Sequence, residues 1–274
     1  MHSRALGTKE QPNEHSIERL KTPPQYGTLL ALPLLTSLAA CSQEERQPEY
    51  WGDKYLAAYQ DKLQIDELEP GPEPLPERRP VLLVTGVTIP AEWFGPISAR
   101  LERDGFDPIV YEPPELLSYD LFDASADLGD VIEQILLDTG LEKIDVLAEC
   151  TAGVIARYYI QSLGGNTKIN RLVTFVSPHN GIDLAPVAAK YAGWPALYDL
   201  SPGSDFLRAV NSKPLPADVA VTSIYTCNDE YIQPYTTSIV PGATNIGLCK
   251  EKVGHFQTFY DPEIYLLMHG ALTK

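Results

Sequence analysis

The sequence predicts an α/β fold, in which a mainly parallel sheet of about six strands is covered by helices on both faces. Short apolar runs such as Val81–Val84 recur along the chain, and segments with apolar residues at helical spacing stand between them. This alternation favours parallel pairing, because a crossover helix returns the chain to the end of the sheet where the previous strand began. With 274 residues, of which 44% are hydrophobic, the chain can bury one sizeable core.

The elements follow one another from residue 80 to the C-terminus. We predict strands at 81–84, 108–111, 144–147, 171–176, 219–225 and 244–248. We predict helices at 91–104, 127–138, 151–163 and from Asp261-Pro262-Glu263 onward, where an aspartate cap precedes a proline. The second of these helices has the clearest apolar face, formed by Leu128, Val131, Ile132, Ile135 and Leu136.

Residues 1–41 are predicted to be a lipoprotein-type signal peptide. The uncharged run Thr28–Ala40 is too short to cross a bilayer but has the length of a signal-peptide core. It ends in Leu-Ala-Ala-Cys at Cys41, which resembles the lipobox of bacterial lipoproteins, where the cysteine is lipidated and becomes the mature N-terminus. A buried helix that precedes Cys41 by coincidence is the alternative, because the residues before the run are numerous and include acids.

Residues 42–79 are acidic and rich in proline, and they are predicted to be a semi-rigid tether for a domain at 80–274. A short helix over 53–66 would place Tyr55, Tyr59 and Leu63 on one stripe, which favours packing on the surface of that domain.

The charge and the cysteines narrow the possible functions. A net charge of −16 without a cluster of lysines and arginines argues against nucleic-acid binding and favours a soluble monomer. The four cysteines lack the close spacing of a zinc site, so we expect no metal and no cofactor.

Cys150 stands where an apolar strand stops and a helical pattern begins at once. Such a turn pushes its side chain out above the sheet, which is the geometry of the nucleophile elbow, usually G-x-S-x-G. Here residues 148–152 are Ala-Glu-Cys-Thr-Ala, so small residues flank a thiol in place of a hydroxyl. The oxyanion hole is expected from the backbone N–H groups of Thr151 and of Val87, which follows the first strand.

An elbow nucleophile requires a histidine base and an acid that orients it, in the chain order nucleophile, acid, histidine. His255, in the loop after the last strand, is the best base, whereas His179 is better explained as a residue that anchors a loop. Asp229 closes the fifth strand and is the best acid, whereas Asp261 is better explained as a helix cap.

Taken together, these motifs resemble the alpha/beta-hydrolase fold and, within it, the small class 2 lipases, which have little or no lid. The resemblance covers about Pro80 to Leu272 and rests on the segments 80–86, 144–153, 171–181, 222–229, 241–245 and 254–256. Position by position, the family's serine falls on Cys150, its aspartate on Asp229 and its histidine on His255. The resemblance implies a lipase-like or esterase-like hydrolase for carboxylic ester or thioester substrates, including lipid-like ones, that works through an acyl-enzyme.

The sequence departs from the family at four positions. Thr85 replaces a histidine after the first strand, Glu149 and Ala152 replace other elbow residues, and Cys150 replaces the serine. Many esterases of the fold carry Gly-Glu-Ser-Ala-Gly at the elbow, so the glutamate is the least unusual change. A thiol paired with His255 can ionise and attack, as in the cysteine hydrolases of this fold such as dienelactone hydrolase. The alternative is a catalytically inactive fold that acts as a binding or envelope protein, although the retained acid and histidine favour catalysis.

The signal peptide implies an exported protein, anchored to the membrane through a lipid on Cys41, with secretion as the alternative. Cys227 and Cys249 lie in loops at strand ends on the catalytic edge, and we predict a disulfide between them, which an exported protein allows. A cytosolic hydrolase in which all cysteines are free is a third interpretation.

Overall fold

A computed structural model of the protein describes residues 42–250 and 252–274. Its six strands form one sheet in the order β2-β1-β3-β4-β5-β6, and every neighbouring pair is parallel, as predicted. The strands are β1 (Arg79–Val84), β2 (Phe106–Tyr111), β3 (Ile144–Glu149), β4 (Ile169–Phe175), β5 (Ala220–Thr226) and β6 (Thr244–Leu248). All six lie at the predicted places in the sequence, to within a few residues at their ends.

Helices connect the strands and cover the sheet. In chain order they are α1 (Pro48–Leu63), α2 (Gly95–Arg103), α3 (Leu121–Thr139), α4 (Thr151–Ser162), α5 (Ala185–Ala192), α6 (Pro195–Asp199), α7 (Asp205–Asn211) and α8 (Pro262–Thr273). The helices α5 to α7 were not predicted, because each is too short to show a clear helical period. No helix within 42–250 and 252–274 is both long and apolar enough to cross a membrane.

The sheet has a buried core on each face, as the apolar runs of its strands require. Along β1, Leu82 and Val84 belong to one core and Val81 and Leu83 to the other, because successive side chains of a strand point to opposite faces. The first core is closed by α3, α4 and the α5–α7 region, and the second by α2 and α8. A parallel sheet covered on both faces is therefore confirmed.

The segment between residues 42 and 79 contacts the domain. Tyr55, Tyr59 and Leu63 of α1 pack against the second core, which agrees with the predicted stripe, although the helix begins earlier, at Pro48. Further along, the Glu69 carboxylate pairs with the Arg100 guanidinium, with Oε1 2.6 Å from Nε. The division of the chain into signal peptide, tether and domain stays a prediction, and Cys41 lies outside the described residues.

Candidate active site

The carboxyl-terminal edge of the sheet gathers the predicted site residues. Cys150 directly follows β3, Asp229 follows β5, and His255 lies in the loop after β6. Parallel strands end at the same edge, so residues far apart in sequence meet there.

Cys150 sits on a sharp strand-to-helix turn. Its backbone has φ 47° and ψ −120°, a region that non-glycine residues rarely occupy and that costs about 1–3 kcal/mol. The turn is held because the Cys150 N–H donates to Phe175 O at 3.0 Å, while the Gly153 N–H donates to Cys150 O at 3.1 Å. A strained residue that neighbouring strands hold in place is typical of functional turns.

A glycine is present at the elbow, one position later than the family pattern places it. A Cβ on Gly153 would fall 2.2 Å from Ser177 Oγ, so only glycine lets α4 approach the end of β4 this closely. The alanine at 152 is fully buried and fits. Matching the sequence to G-x-S-x-G did not identify Gly153, because that pattern places its second glycine at position 152.

The Asp229 carboxylate and the His255 imidazole form a buried pair. His255 Nδ1 lies 2.8 Å from Asp229 Oδ2, which is the contact expected of an acid that orients a histidine. Asp229 Oδ1 accepts hydrogen bonds from the N–H groups of Tyr231 and Ile232, at 2.9 and 2.8 Å. Burial opposes ionisation of Asp229, yet these donors and His255 hold its pKa below the ordinary value.

Glu149 occupies the other side of the same imidazole. It is fully buried, and its Oε1 lies 3.1 Å from His255 Nε2, while its Oε2 accepts the Gly86 N–H at 2.8 Å. A Cβ on Gly86 would fall 2.3 Å from that Oε2, so glycine is required where the carboxylate meets the turn after β1. The ring nitrogen that would receive the thiol proton therefore already has a carboxylate partner.

The Cys150 thiol lies beside this pair. Its Sγ, a Glu149 carboxylate oxygen and a His255 ring nitrogen all lie within 4.8 Å of one another. The sulfur is also 3.7 Å from the Thr151 hydroxyl oxygen.

The protonation of the site follows from its charges. Burial alone would lower the pKa of His255, but Asp229 above all, with Cys150 and Glu149, raises it well above the ordinary value. Burial raises the pKa of Glu149. Burial, and then the neighbouring Glu149, also raises the pKa of Cys150. Burial and Glu149 thus oppose ionisation of the thiol, while His255 favours it.

The two expected oxyanion donors lie on either side of the elbow. Val87 follows Gly86 in the turn after β1, and Thr151 is the first residue of α4. Within the described part of the chain, neither backbone N–H donates a hydrogen bond to protein. The Gly86 N–H, one residue before Val87, is used by Glu149.

The loop that carries His255 is fixed by contacts that sequence reasoning did not find. The His255 N–H donates to Glu230 Oε2 at 2.8 Å, and the Tyr231 ring meets the imidazole edge at a centroid distance of 5.3 Å. Helix α1 lies against this loop, since the Tyr55 ring is 5.0 Å from Phe256. In the sequence, the aromatic residues of α1 at helical spacing were the feature that could indicate this packing.

The predicted disulfide between Cys227 and Cys249 is present and joins the Asp229 loop to the end of β6. Among the described residues, Cys150 is the free cysteine, as predicted. His179 is fully buried and its Nε2 lies 3.1 Å from Thr174 Oγ1, which agrees with a role in anchoring its loop.

No protein-family model matches the sequence. Among solved structures, the mature lipase BlEst2 of Bacillus licheniformis is 18% identical, with a TM-score of 0.60 over 75% of this chain and 96% of that one. Lipase B of Aspergillus fumigatus is also 18% identical, with a TM-score of 0.62, and the match covers 72% of this chain but only 52% of the fungal protein. MGS-MChE2, an alpha/beta-hydrolase enzyme from a metagenome of sediments of the Mar Chica lagoon in Morocco, is 16% identical, with a TM-score of 0.51 over 74% of this chain and 95% of that one. With its six parallel strands, its two helical layers and its elbow at the sheet edge, this chain has the alpha/beta-hydrolase fold.

Proposed function

We propose that the protein hydrolyses carboxylic esters or thioesters with Cys150 as nucleophile, His255 as base and acid, and Asp229 as the group that orients the imidazole. The observation that carries the proposal is the buried Asp229–His255 contact of 2.8 Å at the same sheet edge as a strained elbow cysteine. A histidine held in this way beside an elbow nucleophile is the arrangement that acyl transfer requires. The similarity to proteins named lipases supports acyl substrates, including lipid-like ones.

The reaction begins with a proton transfer from the Cys150 thiol. At rest the His255–Glu149 pair holds one proton, so the thiol proton ends on this pair as the second. The sulfur then attacks the acyl carbon, and the N–H groups of Val87 and Thr151 stabilise the oxyanion that forms. When the tetrahedral intermediate collapses, the bond to the alcohol or thiol breaks and the leaving group takes a proton from His255.

Water completes the cycle. It gives a proton to the His255–Glu149 pair and attacks the carbonyl of the acyl-cysteine. When this second intermediate collapses, the C–S bond breaks, the acid leaves, and the sulfur takes a proton back from the pair. For both halves of the reaction His255 Nε2 has to turn from Glu149 towards the sulfur. Glu149 therefore sets how easily the base becomes available.

The test is a screen of aryl esters and alkyl thioesters of graded acyl length, with chelator present to remove metal ions. We expect turnover by the wild type and a loss of several orders of magnitude for Cys150→Ala. Cys150→Ser, which keeps a nucleophile of similar size, should retain partial ester hydrolysis. Turnover that is equal in the wild type and in Cys150→Ala contradicts the proposal.

A catalytically inactive binding or envelope protein is the second candidate, and one observation favours it. Glu149 already occupies His255 Nε2, and the thiol is buried with a raised pKa. In this case no substrate is turned over and Cys150 reacts with iodoacetamide no faster than a free model thiol. The substrate screen and the alkylation rate together separate the two candidates.

We further propose that the protein is exported as a monomer and anchored to the membrane through a lipid on Cys41, with secretion as the alternative. The disulfide between Cys227 and Cys249 supports an oxidising compartment, because such bonds are rare in the cytosol. Lipidation should appear in the intact mass of the mature protein and place it in the membrane fraction. If Cys41→Ser leaves both the mass and the fractionation unchanged, this part of the proposal is wrong.

A further inference from the structure

The catalytic edge holds three chemically different metal-binding groups in one buried cluster. A carboxylate oxygen of Glu149, the Sγ of Cys150 and a ring nitrogen of His255 lie within 4.8 Å of one another, and all three residues are buried. Carboxylate, thiolate and imidazole are the ligands of zinc in proteins. From this cluster we infer that the protein binds one thiophilic divalent cation, of which Zn²⁺ is the best fit, through Glu149, Cys150 and His255.

The distances suit a small tetrahedral ion. Bond lengths of about 2.0–2.3 Å to oxygen, nitrogen and sulfur place neighbouring ligand atoms roughly 3.3–3.7 Å apart. The Glu149–His255 contact, at 3.1 Å, is already close to this spacing. An atom at the 4.8 Å limit of the cluster has to approach by about 1.1–1.5 Å to reach this spacing. Three protein ligands leave the fourth position for water.

The groups behind the three ligands are arranged as in metal sites. His255 uses Nδ1 to contact Asp229, which fixes the ring so that Nε2 faces the cluster. Glu149 uses Oε2 to accept the Gly86 N–H, which leaves Oε1 directed at the same point. A ligating histidine backed by a carboxylate and a ligating carboxylate held by a hydrogen bond are the usual partners of a bound ion.

The charge of the site also favours a cation. Glu149 and Asp229 are both buried, and in the described part of the chain neither forms an ion pair with a lysine or an arginine. The His255 imidazole is therefore the ion-pair partner of both carboxylates. A buried negative charge without a matching positive charge is costly, so a divalent ion is stabilised there. The ligands are separated by up to 106 residues in the chain, which explains why cysteine spacing gave no sign of the site.

The inference does not depend on hydrolysis. A bound ion would hold Cys150 as its thiolate and use the lone pair of His255 Nε2, so it would block both the nucleophile and the base. If the protein is a hydrolase, Zn²⁺ is thus expected to inhibit it reversibly. If it is not, the cation site stands by itself.

The experiment uses the purified protein after chelation, titrated with Zn²⁺ and, separately, with Co²⁺. We expect one Zn²⁺ per chain by elemental analysis, and for Co²⁺ a thiolate-to-metal charge-transfer band together with the intense visible bands of tetrahedral cobalt. Asp229→Asn should weaken binding by about 10–100-fold, and Cys150→Ser and Glu149→Gln by more, because they remove ligands. The control is Glu142→Gln, which removes the charge of an exposed glutamate outside the site and should leave Zn²⁺ binding unchanged.

A measurement on the wild type alone guards against variants that do not fold. One equivalent of Zn²⁺ should slow the alkylation of Cys150 by iodoacetamide at least tenfold, and chelator should restore the rate. A protein that retains no Zn²⁺ after titration, or whose Cys150 stays equally reactive with Zn²⁺ present, overturns the inference. Zn²⁺ binding that is unaffected by both Cys150→Ser and Glu149→Gln also overturns it, because the ion would then sit elsewhere on this acidic protein.

Discussion

Replacing Glu149 by glutamine tests whether this carboxylate controls the nucleophile. Glutamine has nearly the same shape, and its amide oxygen can still accept the Gly86 N–H, so the hydrogen bond at Oε2 is kept. What disappears is a fully buried negative charge within 4.8 Å of the Cys150 sulfur. We expect the thiol to ionise more readily and to be alkylated faster at neutral pH.

The size of the effect follows from the separation. Two unit charges about 4.8 Å apart interact by about 3 kcal/mol at an effective dielectric constant of about 20. Relieving this repulsion raises the thiolate population by up to about 100-fold, at one factor of ten for each 1.36 kcal/mol. A less basic thiolate is also a weaker nucleophile, and this offsets about half of the gain on a logarithmic scale. The expected net change is an alkylation rate roughly tenfold higher.

The assay is the rate of iodoacetamide labelling of the Cys150 peptide by mass spectrometry, in chelator, from neutral to alkaline pH. The wild-type rate should still be rising above the ordinary titration range of a thiol, because the pKa of Cys150 is raised. The alkylation rate of Glu149→Gln should rise at a lower pH than the rate of the wild type. Glu142→Gln, at an exposed glutamate outside the site, serves as the control and should follow the wild type. A Glu149→Gln protein that is folded but labelled no faster than the wild type would refute the electrostatic argument.

Three further predictions concern stability, measured as free energies of unfolding in urea. Gly86→Ala should cost about 1–3 kcal/mol, because its Cβ would overlap the buried carboxylate, whereas Gly95→Ala, with no atom within 4 Å of the added Cβ, should cost little. Glu69→Gln should cost about 1 kcal/mol at neutral pH, since its partly exposed ion pair with Arg100 is only moderately strong. That ion pair lowers the pKa of Glu69 from 4.5 to about 2, so its contribution is complete above pH 4.5 and should vanish as the pH falls towards 2. Tyr59→Ala should cost about 1–2 kcal/mol and increase hydrogen exchange in α1, because the ring packs against Trp93 and Phe256. Tyr59→Phe keeps the ring and should change neither the stability nor the exchange. Equal hydrogen exchange in the two variants would contradict packing by the ring.

The sequence predicted the sheet and the meeting of three residues for a simple reason. Buried parallel strands are continuous apolar runs, and such runs are visible in the sequence without any structural information. Once the strands are known to be parallel, Cys150, Asp229 and His255 all lie at the same edge, because each follows the end of a strand or its loop. The Cys227–Cys249 disulfide could be predicted on the same ground.

The partner of His255 Nε2 could not be predicted in this way. Glu149 is adjacent to Cys150 in sequence, but which way its side chain turns depends on the space left by Gly86, some sixty residues earlier. The docking of α1 against the His255 loop likewise depends on which aromatic side chains of the folded domain are left to receive it.

The sequence by itself thus determined the positions of the strands along the chain, the elbow and the candidate triad, because local apolar patterns and the parallel arrangement suffice to place them. The order of the strands in the sheet came from the structure. Only the tertiary structure decided that Glu149 shares the imidazole with Asp229 and that burial beside this second carboxylate raises the pKa of the Cys150 thiol. The physical reason is that protonation and ligand geometry depend on distances of a few ångströms between residues far apart in the chain, and close packing sets those distances.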